Sequence, residues 1–111
     1  MSNDKICDGP IGDIGNRILH EDDNVRIWDV DIAPGEQTDI HEHKHDYILV
    51  ILEGDKIAGV PHVSATGEFA NYIEVETKPG DFFVVPKGGV ETARNIGTKR
   101  YHELVIELKK S

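Results

Sequence analysis

Hydrophobic and polar residues alternate along short stretches of this chain, with the two-residue period of β-strands. In the segment 25–32, Trp28, Val30 and Ile32 share one parity, and aspartates occupy two of the positions between them. The segment 71–77 repeats the pattern with an isoleucine and a valine against two glutamates. Successive side chains of a strand point to opposite faces, so each segment predicts a strand with one buried face. No segment has a convincing helical period.

Glycine, proline and acidic residues divide the rest of the chain into further short segments. Strands are predicted at 17–20, 25–32, 47–52, 56–60, 71–77, 82–85, 90–96 and 101–108, and the stretch 38–45 leads into the strand at 47–52. Residues 61–70 are predicted as a loop, and residues 1–15 as an irregular arm before a barrel domain that spans 16–111. About nine short strands with glycine and proline between them favour a closed, all-β jelly roll, which hides its sheet edges.

Composition places the chain among ordinary globular domains. It has 111 residues, of which 38% are hydrophobic and 30% charged, enough for one core. The net charge of −9 opposes binding to nucleic acid and to anionic membrane surfaces. No apolar run approaches the roughly 20 residues of a membrane span, and the N-terminus does not resemble a signal peptide, so we expect a cytoplasmic location. The single cysteine, Cys7, is expected to be a spare thiol.

Two blocks of spaced residues carry the candidate chemistry. They read Gly35-x5-His41-x-His43-x3-Tyr47-x6-Gly54 and Gly80-x5-Pro86-x-Gly88-x2-Glu91-x3-Asn95. Both resemble the paired motifs of the cupin superfamily, whose small β-barrels hold a metal between two such blocks. The resemblance covers about residues 16–108 and implies a single-domain cupin jelly-roll β-barrel. This sequence departs from the family pattern at two ligand positions: Tyr47 stands where the first motif usually has glutamate, and Glu91 where the second usually has histidine.

The resemblance implies a divalent metal ion as cofactor. If their strand has no bulge, His41 and His43 point to the same side and bind one ion with two imidazoles. Glu91 would complete a set of two nitrogens and one oxygen, the set with open positions that Fe(II) oxygenases use, so iron is favoured over zinc, manganese or nickel. Two alternatives stay open: a relict site whose histidines are only hydrogen-bonded, and Glu91 as a surface carboxylate at a loop end.

Three further side chains compete for roles beside the metal. Tyr47 is predicted either as a ligand or acid–base catalyst, or as a core ring whose hydroxyl finds a partner. His102 shares the parity of Leu104 on the last strand, which predicts it inside the barrel as a third ligand, a proton carrier or a histidine at the mouth. His45 is predicted at the barrel mouth, where it binds either the metal or the substrate.

Arg26 has the same parity as Trp28 and is therefore predicted on an inward face. An arginine there is costly unless it is paired. Three interpretations follow: a salt bridge to an internal acid such as Glu91, bidentate binding of an anionic substrate at the barrel mouth, or a place at the strand end in solvent.

Together these residues predict a metal-dependent enzyme, resembling a dioxygenase, that acts on a small polar, carboxylated molecule. The alternatives are a non-catalytic ligand-binding or sensing module with a degenerate metal site, and a metal-assisted isomerase or lyase. We also expect a homodimer. The segments 48–52 and 82–85 carry apolar residues of both parities, more than a barrel with one wet face needs, so a second copy should cover the outer face of one sheet.

Overall fold

The computed structural model describes residues 4–111, and most of its regular structure is β-strand. Along these residues the strands are β1 (Arg17–Glu21), β2 (Val25–Ile32), β3 (His41–Glu42), β4 (Tyr47–Glu53), β5 (Lys56–Pro61), β6 (Ile73–Glu76), β7 (Phe82–Val85), β8 (Val90–Asn95) and β9 (Tyr101–Leu108). One 3₁₀-helix, Gly67–Ala70, lies in the segment predicted as a loop. A single turn is too short to leave a period in the sequence. Within the described range, no helix has the length and hydropathy of a membrane span.

The strands form two antiparallel sheets. The larger sheet has the order β1-β2-β9-β4-β7, and the smaller has the order β3-β8-β5-β6. Most neighbours in the sheets are far apart in sequence, as in a jelly roll, where strands cross between the two layers. The order of the strands confirms the predicted all-β class. It also places β3 beside β8, so the two sequence blocks meet in the smaller sheet.

The core lies between the inner faces of the two sheets. Trp28, Val30 and Ile32 are buried, which confirms the predicted alternation of β2. Ile14, from the segment that precedes β1, joins this core. Cys7 forms an isolated bridge with His62, so this segment is in contact with the loop after β5. Residues 1–3 of the predicted arm lie outside the described residues.

The prediction of which side chains of β9 face the core is wrong. The buried positions of this strand are Tyr101, Glu103, Val105 and Glu107, whereas His102, Leu104, Ile106 and Leu108 are half-buried on the opposite face. β9 lies in the middle of the larger sheet, between β2 and β4. The outer face of that sheet is itself apolar, so the more hydrophobic side of the strand is not the side that faces the core.

The outer apolar face consists of Ile48, Val50, Phe82, Val84, Leu104 and Ile106. Cross-strand pairing joins them into one patch: Ile48 lies opposite both Val84 and Ile106. Val50 lies in the same way opposite Phe82 and Leu104. The exposed fractions of Phe82 and Val84 are 66% and 69%, which is unusual for large apolar side chains that neighbour one another.

Candidate functional site

A cavity of about 360 Å³ lies between the two sheets. Most of its wall is apolar and includes Leu49, Ile57, Phe83, Val85 and Val105. Its principal polar lining residues are His41, His43, Tyr47, Glu91, Tyr101 and Glu103. Both sequence blocks contribute to this polar group, because β3 and β8 are paired and β4 begins shortly after β3. The volume and the concave, largely apolar lining are those of a small-molecule site.

His41 lies on β3 and is 4% exposed. Its Nδ1 lies 2.9 Å from the backbone oxygen of Asp39. A carbonyl oxygen only accepts hydrogen bonds, so Nδ1 carries the proton and Nε2 is the basic nitrogen. Burial is the main cause that lowers the pKa of His41. The imidazole is therefore neutral at neutral pH, which is the form that binds metal.

His43 also lines the cavity and is 4% exposed. Its ring stacks on Tyr47, with 3.9 Å between the centroids, and makes an edge contact with His41 at 4.8 Å. Its Nδ1 is buried without a hydrogen-bond partner among the described residues. Burial, and secondarily the charge of His41, lowers the pKa of His43 to about 3. A buried imidazole nitrogen that lacks a partner is a place where a ligand or ion is expected.

Glu91 lies on β8 directly opposite His41 in the strand register. It lines the cavity, and burial raises the pKa of its carboxyl to about 7. A β-carbon at Gly89 would lie 3.5 Å from Glu91 Oε1 and 3.8 Å from His43 Cδ2, so this glycine leaves room where the two side chains approach each other. The structure therefore places Glu91 inside the barrel and rules out the surface carboxylate that the sequence left open.

The donor chemistry of His41, His43 and Glu91 fits a divalent ion, because two neutral imidazoles and one carboxylate oxygen suit iron, manganese or zinc. The unpartnered His43 Nδ1 is a second feature that suits such a group. Within residues 4–111, however, no three or more histidine, cysteine, aspartate or glutamate side chains are already gathered at metal-binding distances. Side-chain movements would be needed to bring the three donors around one ion.

Tyr47 begins β4 and lies both in the core and beside the cavity. Its ring belongs to the core cluster and also lines the cavity. Burial, together with the nearby carboxyls of Glu91 and Glu103, raises the pKa of its hydroxyl above the ordinary value. The phenol therefore keeps its proton at neutral pH and acts as a hydrogen-bond donor.

His45 and His102 lie away from the cavity lining. His45 is half-buried, and its Nδ1 has no hydrogen-bond partner among the described residues. His102 lies on the outer face of the larger sheet, where its Nε2 pairs with Asp29 and its Nδ1 lies 3.8 Å from Glu53. The predicted inward position of His102 is therefore wrong, since its strand presents the opposite parity to the core.

Arg26 faces inward, as its parity predicts, but it does not line the cavity. Its Nε donates to the buried carboxylate of Glu107, which also accepts a hydrogen bond of 3.0 Å from Trp28 Nε1. Glu21 Oε2 lies 3.7 Å from Arg26 Nη1. The salt bridge is thus the alternative that the structure shows, with Glu107 as the acid instead of Glu91. The substrate-binding position predicted for Arg26 is not supported, because these contacts hold its guanidinium outside the cavity.

Sequence reasoning missed Glu103 and Tyr101 as site residues. Both lie on β9 and line the cavity, and the Tyr101 hydroxyl donates a 3.0 Å hydrogen bond to Glu103 Oε2. Burial is the main cause that raises the pKa of Glu103 to about 8, and the charge of Glu91 adds to it. The signal was the difference between the two parities of β9, one with two glutamates and the other with three aliphatic residues, which identifies two faces without showing which one is inside.

Solved structures share this architecture. A cupin domain protein from Bordetella pertussis superposes with a TM-score of 0.70 at 19% identity, covering 84% of this chain and 90% of that one. A protein with a double-stranded β-helix domain from Klebsiella pneumoniae gives 0.63 at 18% identity, with coverages of 83% and 73%. A cupin superfamily protein from Desulfitobacterium hafniense gives 0.57 at 22% identity, with coverages of 88% and 83%. These likenesses show the fold, and with the paired motifs they define a cupin.

A narrower assignment comes from the sequence family. The family model described as auxin binding protein matches residues 11–107, and the chain therefore belongs to this family of cupins. No curated protein matches the sequence significantly.

Proposed function

We propose that this protein is a metal-dependent enzyme that acts on a small molecule in the cavity between its sheets. The observation that carries the proposal is the pairing of β3 with β8. It places His41 opposite Glu91, while His43 lines the same cavity two residues further along. Two imidazoles and one carboxylate on neighbouring strands are the donor set that a divalent ion needs, and iron is the ion that this set favours.

His41, His43 and Glu91 would hold the ion, which supplies Lewis-acid chemistry or activation of dioxygen when it is bound. The side chains around the ion would orient its ligands, donate protons and exclude water. The carbonyl of Asp39 fixes the tautomer of His41 and leaves Nε2 as the donor. Tyr47 stacks on His43 and presents a protonated hydroxyl, so it donates a hydrogen bond or a proton to the bound molecule. The apolar wall excludes water from the site.

A non-catalytic binding or sensing module is the second candidate function. One observation favours it: the described residues contain no preassembled group of three metal-binding side chains. In that case the cavity binds its ligand without an ion, and Tyr47 and Glu91 are replacements that ended metal binding at this site.

Metal content separates the two functions. Elemental analysis of protein purified without added metal is expected to find about one divalent ion per chain, and to identify it. His41→Ala and His43→Ala should each weaken metal binding by at least about tenfold, since each removes one of three donors. His20→Ala is the matched control, because His20 is exposed and pairs only with Asp22 among the described contacts. Circular dichroism checks that each variant keeps its strands. Protein that is empty and takes up no metal on titration would favour the binding module.

A further inference from the structure

The residues that line the cavity include several acids. Glu68, Glu91 and Glu103 all line it, and no lysine or arginine does so within residues 4–111. Arg26, which the sequence predicted on an inward face, forms salt bridges with Glu107 and Glu21. In the metal-free protein, a ligand that carries a carboxylate would therefore enter a low-dielectric space beside several acids, with no lysine or arginine to neutralise it. The carboxylated ligand that the sequence suggested depended on Arg26 and loses that support.

Glu103 is the acid best placed to receive a ligand's polar end. It is 5% exposed, lies on the central strand of the larger sheet and lines the cavity. Among the hydrogen bonds of the described side chains, the Tyr101 hydroxyl is its single donor, and that donor occupies only Oε2. A carboxyl group accepts several hydrogen bonds, so Glu103 retains unused acceptor capacity beside a cavity.

The remaining wall defines the rest of the ligand. Leu49, Phe83 and Val105 of the larger sheet face Ile57 of the smaller sheet across the cavity. Gly59 adds to the available width, since a β-carbon there would lie 3.2 Å from Ile73 and 3.6 Å from Glu91 Oε2. This wall offers dispersion contacts and burial of apolar surface to a hydrocarbon or aromatic body.

We propose that the cavity accepts a small apolar or aromatic molecule whose polar end is a hydrogen-bond donor, an amine or a hydroxyl, and that Glu103 is the residue that selects this end. The inference rests on the proposed function, because it concerns the same cavity. It assigns to Glu103 a role in specificity that is separate from metal binding by Glu91. A protonated amine is the favoured form, since it also neutralises the acids of the lining.

The test compares three probes that share one aromatic body: 2-phenylethylamine, 2-phenylethanol and phenylacetate. Binding to metal-free protein, prepared with a chelator, is measured by titration calorimetry at neutral pH. The amine and the alcohol are expected to bind at least about tenfold more tightly than phenylacetate. Phenylacetate binding as tightly as the amine, or no binding of any probe at millimolar concentration, would overturn the inference. Because no metal is present, this failure would leave the metal proposal to its own test.

Variants locate the selecting group. Glu103→Gln keeps the shape of the side chain but replaces the acid with an amide that cannot ionise beside an ammonium group, so the preference for the amine over phenylacetate should fall by about tenfold. Glu76→Gln, on the exposed face of β6, is the matched control and should leave the preference unchanged. An unaltered preference in Glu103→Gln would assign the selection to another residue. If that variant does not fold, the ranking of the three probes on the unmodified protein still decides the inference.

Discussion

At the scale of single residues, burial determines the protonation states in this site more than residue type does. His41 and His43 are kept neutral by desolvation, while Glu91 and Glu103 are kept partly protonated by it. Low-dielectric surroundings disfavour the charged form of every group, which lowers the pKa of a histidine and raises that of a glutamate. A histidine and an acid on the outer face of the sheet, such as His102 and Asp29, instead pair with each other.

The raised pKa of Glu103 predicts a pH-dependent stability in the metal-free protein. Its ordinary value of 4.5 rises to about 8 on folding, so the folded protein binds this proton more tightly than the unfolded chain. The free energy of unfolding therefore falls as the pH rises towards 8 and levels off above it. His41 and His43 oppose this trend only below their ordinary pKa of 6.5, because above that value they are neutral in both states.

Urea denaturation at pH 6.5 and pH 8.5 isolates the effect of Glu103. The unmodified protein should lose stability between these values, and Glu103→Gln should lose roughly 2 kcal/mol less, since its amide does not titrate. Parallel pH dependences of the two proteins would show that Glu103 is not a buried acid.

At the scale of strands, local pattern predicted most of the fold. The predicted bounds of β2, β7 and β9 coincide with those of the structure, because alternation and turn residues are encoded within a few neighbouring positions. The segment 38–45 did not form a full strand: β3 contains only His41 and Glu42. The length of β3 depends on its pairing with β8, some 50 residues further along the chain. A local sequence pattern does not contain information about such a distant partner.

The candidate site was predicted to the extent that it follows from motif spacing. The two blocks identified His41, His43, Tyr47 and Glu91, and all four line the cavity. The partner of Arg26 was not predictable, because Glu107 lies 81 residues along the chain. The phase of β9, and with it Glu103, depends on which face of a central strand the rest of the molecule covers. Such information belongs to tertiary structure and not to any single segment.

The turn between β4 and β5 provides a prediction at this scale. Gly54 has a φ of +119°, and a β-carbon there would lie 2.7 Å from Tyr101 Cδ2 and 3.2 Å from Tyr101 Cα. Gly54→Ala should therefore destabilise the protein by about 3 kcal/mol, through backbone strain and steric overlap together. Gly35→Ala is the matched control: its φ is +84°, but no atom lies within 4 Å of the new carbon, so about 1 kcal/mol is expected. Equal losses in thermal or urea denaturation would contradict the packing of Tyr101 against this turn.

At the scale of the whole molecule, the outer apolar face is a candidate interface, because burying it would remove a large apolar surface from water. The sequence led us to expect apolar side chains on both faces of β4 and β7, and the structure shows this arrangement. We infer a homodimer in which a second copy covers Ile48, Val50, Phe82, Val84, Leu104 and Ile106. A twofold interface requires one patch that is complementary to itself, and an apolar sheet face suits that requirement.

Light scattering tests this assembly. At micromolar concentration the protein should have twice the mass of one chain, and Phe82→Glu should convert it to monomer, because a charge would then be buried at the interface. Val63→Glu is the matched control, since Val63 is comparably exposed at 52% but lies in the loop after β5, outside both the outer apolar face and the cavity lining. A monomer before any substitution would contradict the inference.

A crystal structure of the metal-loaded protein, with anomalous scattering to identify the ion, tests the proposed metal site most directly. We predict one ion bound by His41, His43 and Glu91, with a carboxylate oxygen of Glu91 at about 2.0 to 2.3 Å. Glu91→Gln should weaken that ion, whereas Glu91→His should still bind it. An ion held by His41 and His43 with His45 as third ligand, and Glu91 turned away, would contradict this assignment.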